Sequence, residues 1–382
     1  MRDDWNCFAG QPSLLAGAPG APVVAVKDNM DLAGLPTGAG LGRPGPVATR
    51  DAAVVARLRA AGVGLLGKAA MDEAALGATG DNPHTGRVLN PRAPRCSPGG
   101  SSSGSAAAVA AGLCDAALGT DTLGSVRIPA AYCRLVGLKP GRGVLPLDGI
   151  VPLSPTLDTV GLLARSVGLA GTLLRLLGGP AEDAPRPLHA GVPDALDAMA
   201  LAPPAQAALR WARGCLAGAG WTVGPCAVPG WDPAGTRRAG LLLAEAEGAA
   251  VHAALLGTDD PALSPRLRAL LAYGRDCGAA RLARAAATLQ AASAGLDLAL
   301  RGCDVLLLPA TAAPAFAWAD GPPPGQADLT ALANAGGHPA ITVPAPGAVP
   351  AGVQLVGPHG SEGRLLAAAR VIEAARRATR AQ

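Results

Sequence analysis

The chain has 382 residues, of which 49% are hydrophobic and 16% charged, so it can bury a sizeable core and is not a disordered chain. Only 2% of the residues are aromatic, which argues against a nucleic-acid binder that stacks bases on aromatic side chains. The formal net charge of +4 arises from 32 basic and 28 acidic residues without long runs of one sign, so no polyanionic partner is indicated.

Strand and helix patterns alternate in the first 178 residues. Apolar runs predict strands and 3.6-residue spacing predicts helices, while glycine and proline clusters mark the turns between them. The predicted elements are a strand over 22–26, a helix over 51–62, a strand over 63–69, a short helical turn over 71–77, turns over 80–105, a helix over 105–114, a strand over 115–121, a short helix within 122–133 and a helix over 167–178. The first strand delivers Lys27 and Asp28 at its end.

The residue pattern changes in the second half of the chain. Long amphipathic patterns over 179–302 predict a helical cover or substrate region. Strands return at 304–309, 340–344 and 352–358, and a closing helix begins near 362. Strands at both ends with helices between them predict one α/β domain over 1–382, with a core in 1–178 that residues 303–382 complete.

Cysteine and histidine usage bears on compartment and metal binding. The eight cysteines contain no CxxC pair, and the start of the chain lacks an apolar leader, which favours reduced thiols in a cytoplasmic protein. No apolar run is long enough for a membrane span, so no membrane partner is predicted. The five histidines show no metal-ligand spacing, so neither a metal nor another cofactor is expected.

Three features could carry chemistry. The run PGGSSSGS at 98–105 is either a Gly/Ser linker or a turn whose N–H groups point into a cleft; it lacks the Lys-Ser/Thr of a phosphate-binding loop. The segment GTDTLGSVR at 119–127 is either an ordinary tight turn or an oxyanion hole before a serine. Lys27 is either a solvated strand end or a buried base. A serine nucleophile needs a base, and because no histidine lies in such a turn, a neutral lysine acting through a second hydroxyl is the available substitute.

Several long motifs in this order resemble the amidase signature family. They are VAVKDNMDLAGLPTGAG, PGGSSSGSAAAVAAG, GTDTLGSVRIPAAYC, LVGLKPGRGVLP, PLSPTLDTVGLLARSV and, near the C-terminus, CDVLLLPA, NAGGHPAITVP and GVQLVGP. The resemblance covers residues 20–178 and 300–375. It implies a central mixed, twisted β-sheet covered by helices on both faces.

The resemblance also implies a Ser–cis-Ser–Lys triad. Lys27 falls where the family has its base lysine, Ser101 where it has the bridging serine with a cis peptide bond, and Ser125 where it has the nucleophile. Ser102 and Ser103 are alternatives that the residues themselves do not exclude, although the alignment of motifs disfavours them.

Other residues would support that triad. The backbone N–H groups of Thr122, Leu123, Gly124 and Ser125 would hold the oxyanion. Asp121 and Arg127 are expected to brace this loop, and Ser102 to support it.

Two residues depart from the family pattern. Leu123 and Arg134 stand where most members have glycine. If position 123 requires a positive φ, leucine would be strained there. The chain is also shorter than many members before Lys27, which predicts a more open cleft.

The resemblance implies an amidase that hydrolyses a small carboxamide to a carboxylate and ammonia, without a cofactor. Alternatives are a biuret- or allophanate-type amidase, the glutaminase subunit of a tRNA-dependent amidotransferase, and a catalytically silent homologue that serves as a binding subunit. Asp328-Leu329-Thr330 fits the substrate motif of the glutaminase subunit only imperfectly, which weighs against it. A homodimer is the expected assembly, on base rates alone.

Overall fold

The computed structural model describes residues 2–184, 186–258 and 260–381, and within them the chain forms thirteen strands, eleven α-helices and two short 3₁₀ helices, Glu73–Ala75 and Asp194–Ala198. The strands are β1 (Phe8–Leu15), β2 (Val23–Lys27), β3 (Gly64–Ala69), β4 (Asp81–Asn82), β5 (Gly86–Arg87), β6 (Ala116–Asp121), β7 (Val136–Lys139), β8 (Thr159–Ala164), β9 (His189–Pro193), β10 (Thr222–Cys226), β11 (Val305–Pro309), β12 (Ala340–Pro344) and β13 (Gly352–Val356). The helices are α1 (Ala53–Ala60), α2 (Ser103–Ala111), α3 (Arg127–Tyr132), α4 (Val167–Leu176), α5 (Pro203–Gly218), α6 (Pro233–Val251), α7 (Ala253–Leu256), α8 (Pro265–Asp276), α9 (Ala279–Gly302), α10 (Ala331–Gly336) and α11 (Glu362–Ala381).

Eleven of these strands form one mixed sheet in the order β1-β3-β2-β6-β8-β7-β12-β13-β11-β9-β10. Strand β2 runs parallel to both β3 and β6, whereas the pairs from β6 through β8, β7, β12 and β13 to β11 are antiparallel. The mixed sheet that was predicted is therefore confirmed, and strands from both ends of the chain build it.

Side chains alternate between two core layers, one on each face of the sheet. On β2, Val24 and Val26 belong to the larger apolar cluster, while Ala25 between them belongs to a second cluster. The larger cluster includes apolar residues of α1, α4 and α11, and the second includes the alanines of α2. Helices thus cover both faces of the sheet. Strands β2, β3 and β6 are buried on both sides and consist mainly of apolar residues and glycine.

The region 179–302 differs from its prediction because it contains two strands as well as helices. Strands β9 and β10 pair in parallel and extend the main sheet at its edge beside β11. Their sequences, HAGVP and TVGPC, carry glycine and proline, which mask the strand signal. Strands β1, β7 and β8 and helix α10 were likewise not predicted as elements. Within the described ranges, no helix has both the length and the apolar character that crossing a membrane requires.

Candidate functional site

The predicted site residues meet at one edge of the sheet because β2 and β6 are parallel neighbours. Their carboxyl ends place Lys27 beside the turn that follows Asp121. Ser101 lies two residues before α2, and Ser125 lies two residues before α3. One residue at a strand end and two residues in separate turns therefore share one location.

Lys27 is fully buried and contacts two hydroxyl groups. Its Nζ lies 2.9 Å from Ser101 Oγ and 2.9 Å from Thr120 Oγ1. Burial lowers the pKa of Lys27 to about 7, although the charges of Asp72, Asp158 and Asp121 oppose that shift. A large fraction of Lys27 is therefore neutral at neutral pH, and a neutral amine can accept a proton.

The three consecutive serines have different surroundings. Ser101 contacts the lysine, and the Gly100–Ser101 peptide bond is cis. Ser102 donates its Oγ proton to the carbonyl of Thr120 and its N–H to the carbonyl of Ser125. Ser103 Oγ is buried without a partner among the described residues. Of the three hydroxyl groups, only that of Ser101 bonds to Lys27.

Ser125 lies at the wall of a cavity of about 150 Å³ and is 8% exposed. The lining is mainly apolar and comprises Ala75, Leu76, Gly77, Ala78, Thr122, Leu123, Ser125, Ile128, Leu153, Arg237, Leu241, Ala244, Pro323, Pro324, Gln326 and Ala327. Among the hydrogen bonds of the described residues, none joins Ser101 Oγ to Ser125 Oγ. Catalytic hydrogen bonds are often long before substrate binds, so the absence of this bond does not exclude proton transfer between the two serines.

One of the four predicted oxyanion donors has a hydrogen-bond acceptor within the turn. The N–H of Gly124 donates to Asp121 Oδ1 at 2.8 Å, so this group is already committed to holding the turn. Within the part of the chain that the structure describes, the N–H groups of Thr122, Leu123 and Ser125 have no hydrogen-bond acceptor. Three of the four predicted donors are therefore available to a ligand.

Asp121 and Arg127 form a fully buried ion pair beside the turn. Two Arg127 nitrogens bond to the two Asp121 oxygens at 2.9 and 3.0 Å. Burial would raise the pKa of Asp121, but the charge and hydrogen bonds of Arg127 hold it well below its usual range. Arg127 also donates to Thr330, Asn334 and Gln354, which ties the turn to the C-terminal segment.

The two departures from the family pattern have opposite backbone consequences. Leu123 is not among the described residues with positive φ, since the left-handed residue of this turn is Gly124 at φ 134°. The strain considered for leucine is therefore absent, and its side chain packs against α6, where a Cβ on Gly240 would lie 2.6 Å from Leu123 Cδ2. Arg134 does adopt φ 57°, just after α3 ends, and its guanidinium donates to the carbonyls of Gly347 and Ala348.

Sequence reasoning missed several polar neighbours of the site. Thr120 bonds to Lys27, and Asp158 accepts a hydrogen bond from Thr122 Oγ1 at 2.6 Å. Asp72 is fully buried, and its carboxylate accepts the N–H groups of Thr79 and Gly80. The motifs PLSPTLDTVGLLARSV and GTDTLGSVR contain Asp158 and Thr120 and could have drawn attention to them, whereas Asp72 lies in none of the motifs singled out. In the described residues, the side chains placed to hold a metal ion together lie in another group, Asp297, His338 and His359.

Comparison with known proteins places this arrangement in context. Indoleacetamide hydrolase of Pseudomonas savastanoi is 47% identical over 193 residues, which is 49% of this chain and 42% of that protein. A glutamyl-tRNA(Gln) amidotransferase subunit of Anaeromyxobacter sp. (strain K) is 36% identical over 411 residues, covering 94% of this chain and 83% of that one. A crystal structure of an amidase superposes with a TM-score of 0.86 at 35% identity, over 93% of this chain and 84% of that one.

The more identical alignments are partial. Those with indoleacetamide hydrolase and with the amidotransferase subunit of Salinibacter ruber span less than half the length of either relative. The sequence profile of the Amidase family, by contrast, matches residues 9–366. On this match, together with the shared fold, the chain belongs to the Amidase family.

Proposed function

We propose that this chain hydrolyses a small carboxamide with an apolar acyl group to a carboxylate and ammonia, through an acyl-enzyme on Ser125. The observation that carries the proposal is the buried 2.9 Å contact between Lys27 Nζ and Ser101 Oγ, beside a cavity that Ser125 lines. A buried amine of lowered pKa next to a hydroxyl is the arrangement that proton abstraction needs.

The mechanism moves one proton along the three side chains. Neutral Lys27 takes a proton from Ser101, and Ser101 takes one from Ser125, whose Oγ attacks the amide carbon. The N–H groups of Thr122, Leu123 and Ser125 donate to the developing oxyanion; losing one such donor typically costs about 100- to 1000-fold in rate.

The second half of the reaction restores the enzyme. As the C–N bond breaks, Ser101 gives its proton to the leaving nitrogen and recovers one from Lys27, and ammonia departs while Ser125 stays bonded to the acyl carbon. Water then loses a proton to the same relay and attacks the acyl carbon. The carboxylate leaves and Ser125 regains its hydroxyl proton.

The cavity supports an apolar acyl group of limited size. A volume of about 150 Å³ corresponds to a cavity that holds a benzene-sized ligand. Leucines 76, 123, 153 and 241 with Ile128 supply much of the wall. We therefore expect phenylacetamide or a branched aliphatic amide to fit, in keeping with the arylacetamide in the name of the Pseudomonas relative.

A glutaminase subunit is the second candidate, because the amidotransferase relative from Anaeromyxobacter aligns over most of this chain. Arg237 is the one cation among the described residues that line the cavity. It is paired with Asp328 at 2.6 Å, so no free positive charge awaits the carboxylate of glutamine. The apolar wall similarly disfavours biuret and allophanate, and the Lys27–Ser101 contact disfavours a catalytically silent homologue.

Ammonia release from a panel of amides tests the proposal. The panel contains phenylacetamide, indoleacetamide, isobutyramide, glutamine, asparagine, biuret and allophanate, with Ser125→Ala as the blank. We expect release from the apolar amides, and Ser101→Ala should reduce it at least ~1000-fold while circular dichroism stays unchanged. Leu241→Ala should raise the preference for indoleacetamide over phenylacetamide. Release only from glutamine would favour the glutaminase reading, and equal release by Ser125→Ala would refute the mechanism.

The homodimer and the cytoplasmic location stay predictions. Light scattering on the purified chain measures the first, and fractionation of the producing cells measures the second.

A further inference from the structure

Two histidines and an aspartate from three separated segments meet at one place in the structure. Asp297 lies on α9, His338 precedes β12, and His359 follows β13. One ligand atom of each residue lies within 4.8 Å of the corresponding atoms of the other two. His338 is 41 residues from Asp297 in sequence, which is why no metal-ligand spacing was visible.

The cluster combines one buried ligand with two exposed ones. His338 is fully buried, and its Nε2 lies 3.0 Å from Asp297 Oδ1. The rings of His338 and His359 lie 4.1 Å apart between centroids. The Asp297 side chain is 49% exposed and His359 is also exposed, so solvent reaches the outer side of the cluster.

The local backbone is shaped to admit the buried ring. A Cβ on Gly336 would overlap Nδ1 of His338, so only glycine at that position leaves room for the imidazole. Nδ1 itself is buried without a hydrogen-bond partner among the described residues. Among the hydrogen bonds of the described residues, the one polar contact of this ring is therefore that of Nε2 with Asp297, so Nε2 is the nitrogen that a bound cation would share with the carboxylate.

From this geometry we propose that Asp297, His338 and His359 bind a divalent metal ion of the zinc class. Two imidazoles and one carboxylate suit Zn²⁺, Co²⁺ or Ni²⁺ better than Ca²⁺ or Mg²⁺, which prefer oxygen ligands. Ligand atoms about 2.1 Å from a tetrahedral zinc ion are roughly 3.4 Å apart, so the 3.0 Å pair already has the right spacing. Rotation of the two exposed side chains completes the site, and water takes the remaining position.

The bound ion would join parts of the chain that are distant in sequence. It would tie α9, which belongs to the region 179–302, to the segments around β12 and β13 at the centre of the sheet. None of the three ligands lines the cavity at Ser125, so the site is separate from the proposed amide chemistry.

Zinc titration of the full chain tests this proposal. The protein is treated with a chelator, dialysed, and titrated at pH 7.5 with Zn²⁺ against a chromophoric competitor. We expect one equivalent to bind, and affinity to fall at least tenfold in Asp297→Asn and in His359→Ala. Both changes are at exposed side chains, so folding should not be affected. His189→Ala, at a histidine on β9 outside the cluster, and Ser125→Ala should bind zinc as the unmodified chain does.

Two measurements distinguish zinc bound at this site from zinc bound by the eight cysteine thiols. Zinc should raise the melting temperature of the unmodified chain by ~2 °C or more and should raise that of Asp297→Asn by less at the same zinc concentration. Absence of saturable binding up to ~100 μM zinc would overturn the proposal, as that limit corresponds to a site of only marginal affinity. Undiminished binding by both ligand variants would also overturn it, by placing the ion on cysteines instead.

Discussion

The rate of amide hydrolysis should follow the charge state of Lys27. Burial lowers the pKa of this lysine to about 7, and only the neutral amine can accept the Ser101 proton. With that pKa, about 1% of Lys27 is neutral at pH 5, about half at pH 7 and about 90% at pH 8. The value of kcat/KM should therefore fall roughly tenfold per pH unit below 7 and level off above 8. A lysine with the ordinary pKa of ~10.4 would be neutral in only about 0.04% of molecules at pH 7.

The assay measures kcat/KM for an uncharged amide from pH 5 to pH 9, so that the substrate itself does not titrate. Two other groups have a pKa of about 7: burial lowers that of Lys139 and raises that of Glu245. The variants Lys139→Met and Glu245→Gln are therefore the matched controls, and both should keep the acidic limb in place. Lys27→Arg, which stays charged, should lose at least ~1000-fold at every pH.

Two results would refute this reasoning. One is a kcat/KM that stays flat between pH 5 and pH 7 while circular dichroism shows a folded protein. The other is an acidic limb that disappears in Lys139→Met or Glu245→Gln, because the limb would then report a different group.

Three further predictions concern the turn that carries the nucleophile and the turn that follows α3. Asp121→Asn should lower the free energy of unfolding in urea by about 3 kcal/mol or more, because it leaves a buried arginine without its counter-charge. Asp115→Asn, at a partly exposed ion pair, should cost under ~1 kcal/mol, and equal losses would contradict the argument. Gly124→Ala should cut kcat/KM at least ~100-fold, because Gly124 has φ 134° and an added Cβ would overlap the hydroxyl of Thr330. Gly112→Ala is the control, because there is open space around Gly112, and it should leave kcat/KM within about twofold. Arg134→Gly should leave kcat/KM within about twofold, as its left-handed backbone suits glycine; a large loss in steady-state assays would show that the guanidinium supports catalysis.

The sequence was most informative where residue type and local pattern agree. Continuous apolar runs predicted β2, β3 and β6. The glycine-rich turns after and between them drew attention to the segments that contain Ser101 and Ser125, and the choice of these two serines rested on the family resemblance. Strands β9 and β10 were missed because glycine and proline interrupt short runs whose neighbours in the sheet are far away in the chain.

The remaining details depend on three-dimensional contacts that no local pattern encodes. A threonine such as Thr120 is an ordinary strand residue until β2 places Lys27 beside it. Leu123 and Arg134 both stand where the family pattern has glycine. Only Arg134 has a left-handed backbone, because the two residues lie in different turns. The hydrogen bond from the Gly124 N–H to Asp121 likewise forms only in the folded turn.

The contacts of Arg127 with the C-terminal segment also have a consequence for biosynthesis. Its partners Thr330, Asn334 and Gln354 follow it by 203 to 227 residues. At about 5–20 residues per second, a ribosome needs roughly 10–40 s to add that length. During this interval the nascent chain already contains Lys27, Ser101 and Ser125, but its arginine lacks the acceptors that hold the nucleophile turn. The geometry of the site is therefore completed only after residue 354 has been added, and a chain cut before residue 330 would contain all three side chains without it.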